Sequence, residues 1–319
     1  MEEPAVTIHL ARQLLRDEDL EVMSMNRRQL LSTALALPLA SELTQVGLRA
    51  EPTPKFHFRP GLVAYSYRKQ LAAKSLHYEE LIRRVADWGL DGLDCTAYWF
   101  PDLPNTPNEY IASLRKTAFK NGVQIYNSGV RVQLAQPTPE LQNAEFENIR
   151  KWVDMTERLG GSHMRVFGGR VPNGASEEQA IGWAVEVLKR GAEYAGTKGI
   201  TLGVEYDAGL TIAAKATVEI VRRAASPWAG INADSGNLRT NGYAQFEMMV
   251  PYGTSVHLKT LVSDENGKKE PADWNRLLAM LGKAGYPGYI GLEYEGDNAA
   301  AHVSRYAENL RTLIRKVSE

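Results

Sequence analysis

From Gly61 onward, short apolar runs alternate with longer segments of helical period, the pattern of βα units built around a parallel sheet. Eight runs read as strands: Leu62 to Tyr67, Gly92 to Thr96, Val123 to Ser128, Ser162 to Gly168, Thr201 to Tyr206, Gly230 to Asp234, Ser255 to Lys259 and Tyr289 to Tyr294. The segments between them carry helix signals. Leu81, Ile82, Val85 and Ala86 fall on one helical face that can pack on a sheet. Thr106-Pro107-Asn108-Glu109 and Ser176-Glu177-Glu178-Gln179 place a hydroxyl where it can cap a helix, with an acid or amide to reciprocate three residues on. The glycines of Trp88-Gly89, Leu159-Gly160-Gly161, Lys198-Gly199 and Ala284-Gly285 stand where helix C-caps belong, just ahead of the next strand. This order predicts an α/β fold, a (β/α)8 TIM barrel forming a single domain over residues 56–319, close to the usual size of about 250 residues. An open doubly wound sheet is the alternative. No G-x-G-x-x-G turn follows the first strand and no Walker loop is present, so nucleotide binding has no sequence support.

Residues 1–55 break the pattern and read as an N-terminal extension. Within them, Met25-Asn26-Arg27-Arg28-Gln29-Leu30-Leu31 and the apolar stretch to Ala40 resemble a bacterial twin-arginine (Tat) export signal, with Met25 as a candidate start. A functional signal implies a periplasmic protein; without one the chain is cytoplasmic. The residues upstream of Met25 are acidic and no clean A-x-A site follows, so an amphipathic extension is the competing reading. The apolar stretch is too short for a stable membrane span.

Composition narrows the partners. With 44% apolar residues, 24% charged residues and a net charge of −1, the 319-residue chain has no field that favours polyanions. A small molecule is the expected partner, nucleic acid is not, and a homo-oligomer is compatible with this surface. The single cysteine, Cys95, excludes an intramolecular disulfide and a thiolate cluster.

Alternation within the last four strands carries the chemistry. One set of positions is apolar throughout: Leu202 and Val204, Ile231 and Ala233, Val256 and Leu258, Ile290 and Leu292. The opposite set is small or polar: Gly203 and Glu205, Asn232 and Asp234, Ser255, His257 and Lys259, Gly291 and Glu293. The second set must face the barrel interior, with Glu205, Asp234, His257 and Glu293 near the C-terminal strand ends where active sites of this fold are built. Three neighbouring buried carboxylates need neutralising, and one divalent cation held by oxygen and imidazole does so. With no thiolate in the set, Mn2+, Mg2+, Co2+ and Zn2+ are all admissible.

The motifs Gly203-Val204-Glu205, Asp234-Ser235-Gly236-Asn237, Val256-His257-Leu258-Lys259 and Gly291-Leu292-Glu293, in that order, resemble the xylose isomerase-like superfamily. This superfamily of AP endonuclease family 2-type TIM barrels includes sugar-phosphate isomerases and epimerases. The resemblance covers Gly61 to the C-terminus. It implies that Glu205, Asp234, His257 and Glu293 are metal ligands and that Glu205 and Glu293 exchange protons with substrate carbon. Two departures separate this chain from the ketose epimerases. Asn237 and Thr260 stand where the family often has histidine and aspartate, and Leu261-Val262-Ser263-Asp264 lacks the arginine that follows the metal histidine.

The expected function is therefore a metal-dependent sugar isomerase or epimerase that abstracts a proton next to a carbonyl. The alternative is a sugar lyase, dehydratase or keto-glycoside-processing enzyme on the same metal site. Phosphodiester hydrolysis on three zinc ions needs more ligands than six histidines in this distribution supply. A barrel that binds sugars without turning them over fits the retention of both glutamates less well. His163, Arg165, Asn237 and Lys259 are the candidate substrate contacts; Lys259 can equally pair with a neighbouring carboxylate. Tyr65, Tyr126, Trp99, Phe100 and Trp228 are lesser candidates, and Asp207 and Glu295 compete with the glutamates two residues before them.

Overall fold

A sheet with one apolar and one polar face can bury both only by closing on itself beneath a layer of helices. The computed structural model, which describes residues 57–318 apart from 104, 207 and 208, has that closure. Strands β1 (Arg59–Val63), β2 (Gly92–Asp94), β3 (Gln124–Gln133), β4 (His163–Phe167), β5 (Thr201–Glu205), β6 (Ala229–Asp234), β7 (Gly253–Lys259) and β10 (Tyr289–Glu293) form one closed parallel barrel. Around it lie the helices Tyr78–Asp87, Asn108–Lys120, Pro139–Leu159, Glu177–Gly196, Ala214–Ala224, Gly242–Met249, Trp274–Lys283 and Ala299–Ser318. The fold is a TIM barrel. The extension and its twin-arginine-like segment lie outside the described residues, as does Asp207. Among the described residues, no helix is long and apolar enough to cross a membrane.

Most local expectations hold. Ser176 caps its helix in a reciprocal box with Gln179, the two bonds measuring 3.2 and 2.9 Å. Gly160 ends the helix Pro139–Leu159 in the left-handed region at φ 84°, a conformation costly for any residue with a Cβ. Thr106 does not cap the helix after it; its hydroxyl donates to the Pro101 carbonyl at 2.9 Å and ties down the preceding loop instead. The first strand lies earlier than its apolar run suggests. After Val63 the chain turns into a 3-10 segment, Ala64–Tyr67, because Ser66 crosses to β10, donating to the Leu292 carbonyl and accepting from the Tyr294 amide. An antiparallel ribbon, β8 (Leu261–Ser263) with β9 (Lys269–Pro271), projects after β7 and has no counterpart among the expected elements.

The apolar positions of the last four strands are buried beneath the helices at 0% exposure. The interior is filled by pairing large side chains with glycines. Tyr126 lies stacked on Tyr289 at 4.1 Å at the barrel base, in space left by Gly61, Gly92 and Gly291. The register is irregular at three places, one of them between Gly129 and Gln133 of β3 against β4, and the other two, β-bulges, alter the interior face. Between β2 and β3 the register passes from Leu93↔Ile125 to Asp94↔Asn127, leaving Tyr126 as the extra residue; between β6 and β7 it passes from Ile231↔Gly253 to Asn232↔Ser255, leaving Thr254. Asn127 and Thr254 consequently both reach His163 in the barrel.

This packing makes Gly92 a sensitive position. A Cβ there would lie 2.6 Å from Tyr289 Cε1 and 2.7 Å from Tyr126 Cδ1. Gly92→Ala is expected to lower stability by about 1–3 kcal/mol, the usual cost of overpacking, read as a reduced urea midpoint with unchanged slope.

Candidate metal centre and active site

β5, β6, β7 and β10 each deliver one interior side chain at the C-terminal face: Glu205, Asp234, His257 and Glu293. One ligand-capable atom from each lies within 4.8 Å of the others, and all four residues are buried. Among the described residues this is the grouping of acids and imidazole that could hold an ion.

His257 sits at its centre. Nδ1 is 2.9 Å from Glu205 Oε1 and 2.9 Å from Glu293 Oε2, yet makes a hydrogen bond with neither. The other ring nitrogen, Nε2, lies 2.7 Å from Asp94 Oδ2. A proton on Nε2 donated to Asp94 turns Nδ1 towards the two glutamates, where a cation shared with their oxygens would lie. Asp234 is prepared in the same way. Its Oδ1 accepts from the backbone N–H groups of Gly236 and Asn237, each at 2.7 Å, while Oδ2 makes no hydrogen bond among the described residues. Buried atoms without hydrogen-bond partners, three carboxylates and one imidazole together fit a hard or borderline divalent ion.

Cations in the wall balance part of the charge. Arg165 Nε is 2.8 Å from Glu205 Oε2, and Lys259 Nζ lies 3.2 Å from Asp234, 3.7 Å from Glu293 and 3.2 Å from Glu295. Burial opposes ionisation of Glu205, but Arg165 and then His257 outweigh it and hold the carboxyl below its ordinary range. For Glu293 burial is again opposed, by Lys259 and His257, and the group is drawn down to about 2. Asp234 goes the other way: burial, only partly offset by Lys259 and reinforced by Glu293 and Glu205, pushes it up to about 7. Burial works against charge on His257 too, yet Glu205 and Asp94 hold the imidazolium form well above the usual histidine range.

Above this cluster opens a cavity of about 350 Å3, lined in part by Tyr65, Arg165, Glu205, Asn237, His257, Lys259, Glu293 and Glu295. That volume is at the small end for ligand pockets, typically ~300–1,000 Å3. Asn237 links the wall together, accepting from Lys259 Nζ at 2.5 Å and donating to the Tyr206 carbonyl at 3.1 Å. His163 does not line the cavity. Its Nδ1 meets Asn127 Oδ1 at 2.9 Å and its Nε2 meets Thr254 Oγ1 at 3.0 Å, and burial lowers it to about 3. It is a neutral histidine of the barrel interior. Tyr126 lies at the base, Phe100 packs against Tyr78 and Tyr110, and Trp228 packs against Gly196. Trp99 stacks on the cavity residue Tyr65 at 6.0 Å.

Several contributors escaped the sequence reading. Asp94 is the interior residue at the end of Gly92-Leu93-Asp94, and the alternation applied to later strands would have found it. Asn127, which donates to Asp94 Oδ2 at 2.6 Å, faces inward because of the bulge, which single-sequence alternation does not register. Tyr98, Arg131, Gln133 and Phe167 line the cavity from β3, β4 and the loop after β2, and Val63 from β1.

Fold and site together define a TIM-barrel protein with a candidate metal centre at the C-terminal face. The chain belongs to the Xylose isomerase-like TIM barrel family, whose sequence model matches residues 82–316. No curated protein matches the chain. Among solved structures it is similar to D-psicose 3-epimerase with D-tagatose from Clostridium cellulolyticum H10, with 15% identity over 82% of this chain and 99% of that one, TM-score 0.64. It is also similar to the probable 3-DHS dehydratase AsbF, involved in petrobactin synthesis, from Bacillus anthracis, with 14% identity over 79% and 98% of the two chains, TM-score 0.64. A third is a xylose isomerase-like TIM barrel protein from Mycobacterium smegmatis in complex with magnesium, with 17% identity over 76% and 89%, TM-score 0.61. At these identities the likeness is one of fold.

Two outcomes follow from the geometry. Asp94→Ala frees His257 to turn and is expected to weaken Mn2+ binding about 10–100-fold by calorimetric titration, the usual effect of removing a carboxylate behind a ligating histidine. Because Asp234 is pushed up to about 7 and His257 is held above its ordinary range, a cation must displace protons from both, and metal affinity is expected to fall as pH drops through 7. Affinity independent of pH between 6 and 8 would contradict that assignment.

Proposed function

We propose that this protein catalyses metal-dependent proton transfer next to the carbonyl of a sugar-like substrate, as an isomerase or epimerase. The observation that carries the reading is the pair of buried glutamates, Glu205 of β5 and Glu293 of β10, each brought to 2.9 Å from the same atom, His257 Nδ1. Glu205, Asp234, His257 and Glu293 would hold one divalent ion. Bound there, it would polarise a substrate carbonyl oxygen and so acidify the adjacent C–H.

The protein's own groups then have separable tasks. Arg165 and Lys259 keep Glu205 and Glu293 ionised in a buried setting, so that either can accept a proton from carbon. With a substrate bound between them, the second glutamate would return a proton to the opposite face, which is the requirement for epimerisation. Lys259 lines the cavity and places a positive charge where negative charge develops on the substrate. The strands and surrounding helices exclude water from beneath the site, which strengthens each of these interactions. Manganese is the first choice of ion, since carboxylate oxygen and imidazole nitrogen both suit it; magnesium, cobalt and zinc accept the same donors.

A sugar lyase or dehydratase is the second reading, favoured by Tyr98. Its hydroxyl lies in the cavity wall and accepts from Arg165 Nη1 at 2.7 Å, leaving its own proton for a departing hydroxyl. Burial raises its pKa, so that proton is retained at neutral pH. Both readings begin with the same abstraction.

The test is solvent-deuterium incorporation into a panel of keto- and aldo-sugars by the Mn2+-loaded protein, with product identification to separate isomerisation from elimination. Glu205→Gln and Glu293→Gln are each expected to reduce exchange at least about 100-fold, the lower range for a lost general acid–base, and chelator should abolish it. Full exchange in both glutamine variants would overturn the assignment.

A further inference from the structure

The two walls of the cavity differ in charge balance. On the β7 and β10 side, Lys259 is surrounded by Asp234, Glu293 and Glu295. On the β4 and β5 side, Arg165 is paired with Glu205. Arg131 of β3 also lines the cavity, is exposed, and has no acidic partner within 4.0 Å among the described residues. Its guanidinium carbon lies 4.2 Å from the ring centroid of Tyr98. A guanidinium stacked on an aromatic face keeps its edge N–H groups free for a planar or tetrahedral anion and loses less freedom when it binds one.

Gln133, two residues along the same face of β3, lines the same wall. Its backbone is engaged by Glu145 and Gln136, while its side-chain amide makes no hydrogen bond among the described residues. Tyr98 connects this wall to the reacting end: its ring carries Arg131, its hydroxyl meets Arg165, and Arg165 holds Glu205. The uncompensated positive charge therefore sits one ring and one guanidinium away from the proposed proton-transfer pair. A neutral sugar would leave Arg131 unpartnered at the wall of a polar cavity; an anionic group would satisfy it with charge-assisted, bidentate hydrogen bonds.

We infer that Arg131, supported by Tyr98 and Gln133, forms a subsite for an anionic group, a carboxylate or a phosphate, carried by the substrate at the end remote from its carbonyl. The inference rests on the proposed function for the position of the reacting end. It makes the substrate a sugar acid or a sugar phosphate.

The experiment is calorimetric titration of the full chain, loaded with Mn2+, with D-glucuronate, D-glucose 6-phosphate and D-glucose. At least one anionic sugar is expected to bind about tenfold or more tightly than glucose, in line with a charge-assisted bidentate contact. Arg131→Gln should remove that preference while metal content stays unchanged. The better of the two anions identifies carboxylate or phosphate, and either result supports the subsite. Equal binding of all three sugars, or no binding of any, overturns it. So does a preference that survives in Arg131→Gln, the outcome if the anion sits on the bound cation instead. Anion preference without deuterium exchange would overturn the proton-transfer chemistry and leave the subsite standing; exchange without anion preference would do the reverse.

Discussion

The constraint on which this structure turns is the burial of four carboxylates, Asp94, Glu205, Asp234 and Glu293, around a single imidazole in the barrel interior. Removing such charges from water costs several kcal/mol each unless they are paired. The fold answers in three ways. Arg165 and Lys259 neutralise part of the charge from the wall, His257 takes another part as imidazolium, and Asp234 remains near the point of protonation at about 7. What is left over is a deficit of positive charge at the point where ligand atoms converge. A divalent ion held by Glu205, Asp234, His257 and Glu293 would remove that deficit.

The barrel makes the arrangement stiff. Each ligand leaves a different parallel strand, so its backbone is fixed by ladders on both sides. Behind His257 runs a hydrogen-bonded line through Asp94, Asn127 and His163 to Thr254, which carries the orientation of one ring nitrogen down to the barrel base. The two bulges supply Asn127 and Thr254 to that line. Glycines opposite Tyr126 and beside His163 leave room for those large groups. Packing below and chemistry above thus share the same strands.

The fold was legible because short apolar runs alternate eight times with helical segments, four of which end in a glycine break, and because the last four strands each carry a polar interior residue in an apolar run. Glu205, Asp234, His257 and Glu293 were visible for that reason. Asn127 and Thr254 were not, since a bulge shifts which side of the strand a residue faces and leaves no mark in the spacing. The early end of β1 depends on the Ser66 link to β10, a contact between residues far apart in the chain. His163 lies on the interior face of β4, bonded to Asn127 and Thr254 and outside the cavity lining. Arg131 lies beyond the expected end of the third strand, in the part of β3 that extends to Gln133 and forms the cavity wall.

We propose that one cation is shared by these four residues through His257 Nδ1. Anomalous diffraction from crystals of the Mn2+-loaded protein at the manganese edge tests it most directly. A single strong peak bounded by Glu205, Asp234, His257 Nδ1 and Glu293 is expected, with the His257 Nε2 to Asp94 bond intact. A site empty at saturating metal, or a peak ligated through Nε2 with that bond broken, would contradict it.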